Sequence, residues 1–513
     1  MCPPVYLSFQ HVSARPVLPS GKSLIVLLKI TLLSQFAPYP HHKYVNFLQH
    51  IFHANISLTG STSGETSVSI SNVGGLGEQA LNGIKVVEVQ GHSAAGAFTQ
   101  NGRIAAGAFD YFLTQKGKNW YLTNTVEEPE PPVVEPKPPI EEEKPEPPVE
   151  KPEPPVDVTP PDNEKPVDPP KPDEPEVTPP TPRPDFIGPK AWRPEIGGYL
   201  ANLQAANTLF TLTLDDREGG TEYVDPVSGE MKKSAMWLRQ EGGHNRFSAG
   251  DNQLKTQANR YVVQLGGEIV NGSFTGDDRW DIGVMGGYAN QHANTHSTLT
   301  GYKAKSSVDG YSAGLYATWF ENAGEKHGWY ADSWALYNWF DNTLTSPDQS
   351  SEKWKSRGFT ASVETGHISQ LAQYNRTALY LQPQAQAVWM GVKNNSDMTE
   401  QNGTQVQDVN NGNLQTRLGV RLYLKGHSQL DDDKQREFKP YVEANWLHNT
   451  QRFGVRMNGE TVSIDGSRNI AQLKLGVQGQ LTPSLNLWGG TAVQIGDNSY
   501  SDASAMLGVK YRF

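Results

Sequence analysis

Few residues in this 513-residue chain have the types and spacing that do chemistry. Gly310-Tyr311-Ser312-Ala313-Gly314 fits the G-x-S-x-G pattern of a hydrolase nucleophile. That chemistry needs a strand-turn-helix elbow to lift the serine, and here the motif lies inside a long alternating segment. Gly75-Leu76-Gly77-Glu78-Gln79-Ala80 imitates a dinucleotide fingerprint, but no crossover helix follows it. His41-His42 would hold a metal only with further ligands. Asp431-Asp432-Asp433 reads as a solvated acidic run in a long connection. Glu241 and Glu268 are carboxylates of the kind that could cut a nearby polypeptide, yet their presence carries no reaction specificity. Arg239, Glu241 and His244 together read as an interior polar network. No catalytic residue, cofactor or metal site is assigned.

The elements that carry these residues are more informative than the residues. The net charge is −11, and no basic stripe exists to neutralise phosphates, so nucleic acid is not an expected partner. Cys2 is the single cysteine, which excludes internal disulfides and cysteine-based metal sites. No apolar run reaches the length of a membrane-spanning helix, but a barrel remains open because its alternating faces average to modest hydropathy.

Five regions follow. Residues 1–55 hold Arg15 and Lys22 ahead of Leu24-Ile25-Val26-Leu27-Leu28 and Ile30-Thr31-Leu32-Leu33, with Lys29 between. They read either as a signal-like segment or as part of a truncated domain. Residues 56–126 read as short strands: Ser67–Ile70, Ile84–Val89 and Ala105–Leu113, with turns at Asn82-Gly83 and Asn101-Gly102. This suits the end of a β-helix. Residues 127–184 repeat Pro-Glu, Lys-Pro and Pro-Pro-Val units, which permit neither helix nor sheet. As polyproline II this linker would reach roughly 150–180 Å. In 185–233, Pro194 suits a helix start, and Ile196, Tyr199, Leu200, Leu203 and Ala206 share one face. Gly197 and Gly198 weaken a solvated helix and make better sense where the backbone passes close to a wall.

Residues 234–513 form the last region, with about a dozen alternating segments of about 10 to 18 residues, against about 5 or 6 in soluble strands. Leu414, Thr416, Leu418, Val420, Leu422 and Leu424 oppose Arg417, Gly419, Arg421, Tyr423 and Lys425. Ala471, Leu473, Leu475 and Val477 oppose Gln472, Lys474, Gly476 and Gln478. Short connections, as at Leu371–Arg376 and Thr482-Pro483-Ser484, alternate with long polar ones, as at Lys393–Asn413 and Lys425–Glu437. Aromatics gather near strand ends at Trp319-Phe320, Trp329-Tyr330, Trp339-Phe340, Tyr511 and Phe513. The pattern implies a membrane barrel with turns on one side, loops on the other and interfacial girdles.

On these residues the chain resembles the autotransporters of type V secretion, in their pertactin-like and AIDA-like group. The resemblance rests on Gly83–Val89, Gly107-Ala108-Phe109-Asp110-Tyr111, Asn119-Trp120-Tyr121-Leu122, Arg193-Pro194-Glu195, Tyr199-Leu200-Ala201-Asn202 and Gly242-Gly243-His244-Asn245. It continues through Gly310–Tyr316, Asn445–Asn449, Gly454-Val455-Arg456-Met457 and the Tyr511-Arg512-Phe513 ending. It implies an all-β protein: a twelve-stranded transmembrane β-barrel with a luminal α-helix near 194–209, plus a C-terminal fragment of a passenger β-helix on a proline-rich linker. Tyr199, Leu200 and Leu203 would line the luminal helix. Tyr511 and Phe513 would be read by the outer-membrane barrel assembly machinery.

The expected function is a monomeric, non-enzymatic outer-membrane translocator and anchor. It would display an adhesin-type passenger for a ligand on a host or cell surface, with outer-membrane lipid as its surround. The junction near 75–122 would fold first outside and bias export of the rest. The passenger is expected to be truncated. The alternatives are an outer-membrane channel or porin, and a carrier for a surface enzyme.

Overall fold

The computed structural model describes residues 56–62, 65–70, 72, 77, 83–126, 188–218, 235–322, 327–394, 398–409, 412–431, 436–482 and 484–512. The readings of residues 1–55, the linker 127–184, His41-His42, Asp432-Asp433 and Phe513 lie outside them, as do all but Gly77 of the 75–80 motif.

Twelve long strands form one antiparallel sheet. They are β1 (Ala235–Ala249), β2 (Leu254–Gly272), β3 (Arg279–Ser297), β4 (Lys303–Phe320), β5 (Gly328–Thr345) and β6 (Glu352–Gln373). The second half is β7 (Thr377–Met390), β8 (Asn413–Gly426), β9 (Glu437–Asn449), β10 (Asn469–Thr482), β11 (Leu485–Gly496) and β12 (Ser501–Arg512). Each pairs with the next, and β12 pairs back with β1 from Ser501↔Arg246 to Arg512↔Ala235. Closure leaves the sheet no edge to recruit other chains.

The alternation decides the two faces. On the outside, Leu265, Ile269, Leu315, Val363, Leu473, Ile495 and Leu507 are exposed, and on the inside Gln264, Glu364, Arg417, Arg421 and Glu443 are buried. An apolar exterior around a polar interior inverts the soluble pattern and requires hydrocarbon outside. Trp329 and Trp339 face outward on the same strand. At a rise of about 3.3 Å per residue and a tilt of about 40°, they stand about 25 Å apart along the normal, the height of the apolar band. Tyr261, Tyr311, Trp389 and Trp446 continue the upper ring, and Tyr374 and Tyr511 the lower one. In the three aromatic pairs of the sequence only the tryptophans face lipid. Phe320, Tyr330 and Phe340 are buried in the lumen, because strand neighbours point to opposite faces.

One connection differs from expectation. Strand parity places Lys425–Glu437 on the same side as the short turns, since β8 returns to the end where β7 began. The long external connections are Gly391–Gly412 and Thr450–Arg468. They contribute a four-stranded sheet at the mouth: Met398–Thr399, Gln405–Asp408, Gly454–Met457 and Glu460–Ser463. On the turn side, Asp278 accepts bonds from the Ser273 hydroxyl, the Thr275 amide and hydroxyl and the Trp319 indole. These donors hold its carboxyl below the usual range and tie the turn to the lower aromatic ring.

The N-terminal part is a β-helix end. Ile56–Leu58 pairs in parallel with Val87–Val89, and Thr66–Val68 with Phe98–Gln100. Thr62 lies over Ser93, a separation of 31 residues, so each coil takes about that length. The stack stops where Asn119–Thr123 adds antiparallel to Ile84–Val89 and closes a hairpin with Phe109–Lys116. The segment Ala105–Leu113 is therefore not one strand. It breaks at Gly107, whose φ is +56°, into Ile104–Ala106 and Phe109–Lys116.

Candidate functional site at the barrel mouth and lumen

Inside the barrel lies α1 (Glu195–Thr208), started at Pro194. It is buried on all sides from Glu195 to Asn207, with no solvent-facing stripe. An amphipathic surface helix would keep one. Tyr199, Leu200 and Leu203 are all in the buried core. The polar residues meet polar partners instead of water: Asn202 donates to the Ser307 carbonyl at 2.8 Å. Asn207 donates to the Val392 carbonyl and accepts from its amide, both at 3.0 Å. The two glycines sit where the helix touches the wall. A Cβ on Gly197 would come within 2.5 Å of Thr295 Cγ2 and 2.7 Å of Thr256 Oγ1, and one on Gly198 would collide with Leu344.

Below α1 the chain turns into α2 (Asp215–Glu218), whose charges reach both sides of the lumen, Asp215 and Asp216 to β8 and β10 and Arg217 back to β5. Asp215 pairs with Arg421 at 2.6 Å, Asp216 with Lys474 at 3.4 Å, and Arg217 with Asp332. Beside the helix a cavity of about 170 Å³ remains, lined by Gln204, Glu241, Arg260, Arg417, Lys474 and Asp502 among others. Its polar lining gives water several partners at once.

At the mouth the N-terminal part and the barrel share one buried charge network. Arg103 makes a bidentate pair with Asp110, at 2.6 and 3.1 Å, and a second with Glu195, at 2.7 and 2.8 Å. Arg193 reaches Glu195 at 3.3 Å, Glu400 at 3.0 Å and the Gly107 carbonyl at 2.8 Å. Tyr199 donates to Glu400 at 2.8 Å, and Ser346 to Glu195. Trp192 stacks on Phe109 with centroids 4.9 Å apart, while Gln253 of the first external turn accepts from its amide. Five elements thus meet in one cluster.

Two guanidiniums face three carboxylates there, so one carboxylate is the natural holder of a proton. Burial pushes the Asp110 carboxyl up to about 7 against the pull of Arg103. Burial alone would also raise Glu195, which stands at the mouth beside the external loops, but Arg193 and Arg103 hold it down at about 2. Because Asp110 is raised above its ordinary 3.8, its contribution is full below that value and fades as pH rises through about 7. Glu195 is lowered from 4.5, so its contribution fades as pH falls below that value. Protection of the 83–123 amides from hydrogen exchange should therefore weaken between pH 5 and 8, measured by mass spectrometry, and Asp110→Asn should flatten that limb.

Several residues singled out in sequence fall elsewhere. Tyr311 faces lipid and Ser312 the lumen wall on β4, so no nucleophile elbow exists. Arg239 and Glu241 do face inward, but His244 lies on the outer face, bonded to Asn259 at 2.7 Å. Glu241 pairs with Arg260 at 3.0 Å, and Glu268 with Lys510 at 2.9 Å.

A family model described as the autotransporter beta-domain matches residues 236–492. The chain belongs to the autotransporter family. A second model, the type 1 autochaperone domain, matches 52–113 and so covers most of the β-helix end seated on the mouth. The chain is 45% identical to the uncharacterized protein YdeU of Escherichia coli K12, over 89% of this chain and 91% of that one. It is 33% identical to the autotransporter adhesin AIDA-I of Escherichia coli, over 88% of this chain but 31% of that protein. It thus spans most of one relative and about a third of the other. The crystal structure of the AIDA-I transport unit superposes with a TM-score of 0.57 at 35% identity, covering 63% of this chain and all of that one. The autotransporter barrel places this chain in the bacterial outer membrane, within type V secretion, with its N-terminal part at the cell surface.

Proposed function

We propose that the chain exports its own N-terminal part and then holds it on the barrel mouth, as the foot of an adhesin-type passenger, without catalysing a reaction. The observation that carries this is the buried network joining Arg103 and Asp110 of the passenger to Glu195 and Arg193 of the helix segment and Glu400 of an external loop. A mere tether would leave such charges solvated. The ion pairing of Glu241 and Glu268 supports the non-enzymatic reading, because neither carboxylate is left poised to attack a peptide bond. The adhesin reading draws on relatives such as AIDA-I and TibA, which are named as adhesins.

The domain boundaries that fit this reading are 1–55, 56–126, 127–184, 185–233 and 234–513. Tyr511, exposed on the outer face of the closing strand, supports recognition of β12 by the barrel assembly machinery. Protease shaving of intact cells tests display: residues upstream of 184 should be accessible while the barrel stays protected, and full protection of the whole chain would end the proposal. Planar-bilayer recording separates it from the porin alternative. With α1 and α2 seated, conductance should be small and intermittent, whereas a large steady current would favour a channel.

A further inference from the structure

The barrel wall is uneven in height. Strands β2 to β6 run for 18 to 22 residues, and β7 to β12 for 12 to 14. The extra length lies toward the mouth: β7 ends with Met390 opposite Thr360, while β6 continues up to Glu352. A lipid-facing surface that rises past the hydrocarbon must meet the headgroup layer of the outer leaflet.

The outer face of this tall wall changes character at that level. Above Phe359, β6 presents Arg357, Lys355 and Lys353 at alternate, exposed positions, and β4 presents Lys305 and Lys303. The register gathers them: Arg357 lies beside Trp339 of the upper ring and beside Lys393, Lys353 beside Thr343, and Lys305 beside Thr345. Asp309 and Asp341 are the acids on this face, and Asp341 pairs with Lys355 at 3.3 Å. Cations remain in clear excess. Among the described residues, the outer faces of β7 to β12 carry no lysine or arginine. The patch is one-sided: outside the tall wall, the outward cation among the described residues of these strands is Arg246 of β1, which donates to His244.

We propose that this patch binds the phosphate groups of the phosphorylated glycolipid of the outer leaflet. Two features select that occupant. Ammonium and guanidinium groups favour phosphate, and the patch runs without a break into the apolar surface of Phe359, Leu315 and Val363, which suits acyl chains. An amphiphile would satisfy both at once, whereas a free anion would use only the upper half. The same wall bears α1 on its inner side through Thr256, Thr295 and Leu344, so lipid bound outside buttresses the helix within.

The test uses the full-length chain refolded in detergent and titrated with bisphosphorylated lipid A, with dephosphorylated lipid A, and with inorganic phosphate. Adducts are counted by native mass spectrometry and the unfolding temperature is followed. The phosphorylated lipid should bind and raise the unfolding temperature, with the dephosphorylated form much weaker and inorganic phosphate without effect. Lys353→Gln/Lys355→Gln/Arg357→Gln should cut affinity for the phosphorylated lipid by at least about tenfold, the factor for losing a single one of the charge-assisted hydrogen bonds these three cations offer, and leave the weak binding of the dephosphorylated form unchanged. The charge-preserving Lys353→Arg/Lys355→Arg/Arg357→Lys should retain binding, which separates lost phosphate contacts from damage to β6. Undiminished binding by the glutamine variant, equal binding of the two lipids, or equal stabilisation by inorganic phosphate would each overturn the proposal.

Discussion

Gly197→Val is expected to unseat α1 from the lumen. The new side chain would enter space held by Thr295 and Thr256. Their hydroxyls bond each other at 2.8 Å across β2 and β3, so neither can swing aside cheaply. Overpacking a well-filled interior costs about 1–3 kcal/mol, and here a barrel wall cannot relax as a surface helix would. The expected outcome is a folded barrel with a displaced plug: near-native β-signal by circular dichroism, but a larger and steadier conductance in planar bilayers. Thr256→Ala/Thr295→Ala should restore the closed state by making room, although it removes the hydroxyl pair. Gly198→Ala should be milder, because its obstacle is the tip of Leu344, a side chain able to change rotamer. Native conductance in Gly197→Val would show that the helix is not held by this close approach.

Glu195→Ala carries the second large effect. Glu195 is almost fully buried and joins Arg103 to Arg193. Its removal leaves two guanidiniums facing each other with only Asp110 and Glu400 to answer them. Breaking a buried pair from one side typically costs about 3–5 kcal/mol, mostly from the charge left behind. The passenger foot should therefore lift from the mouth while the barrel stays intact. On cells, protease should cut within residues 104–126 of the variant at a dose that leaves the parent whole, with barrel residues protected in both. Arg103→Met should lift it too. The combined Arg103→Met/Glu195→Met should cost less than the two single changes together, since it removes charges in a matched pair. Equal protease resistance of parent and Glu195→Ala would mean that the stacking of Trp192 on Phe109 holds the foot without help.

Much of the fold was readable in the sequence because a barrel writes its geometry into strict alternation. Leu414 to Lys425 states both faces of one strand with no knowledge of its neighbours. Gly197 and Gly198 also announced a close wall, since nothing else justifies two glycines in a first helical turn. Other features depended on parity counted over long distances. Arg239, Glu241 and His244 look like one polar group, but an odd step separates His244 from the other two and turns it to the outer face. Lys425–Glu437 has the length of an external loop yet lies on the turn side, since only strand parity, not length, fixes the side of a connection. The mouth network was not legible at all. Arg103 and Glu195 lie 92 residues apart and Arg193 and Glu400 lie 207 apart, and an isolated Glu400 in a polar loop carries no local signal.

The parallel coils above the mouth bear on how such a chain changes over time. A coil in a solenoid touches only the coils next to it, and the antiparallel hairpin of Phe109–Lys116 with Asn119–Thr123 stands between the stack and the membrane. Whole turns can be gained or lost upstream without disturbing Arg103, Trp192 or the plug. The reach of the displayed stalk is therefore free to drift in steps of one turn, while the machinery beneath it stays fixed.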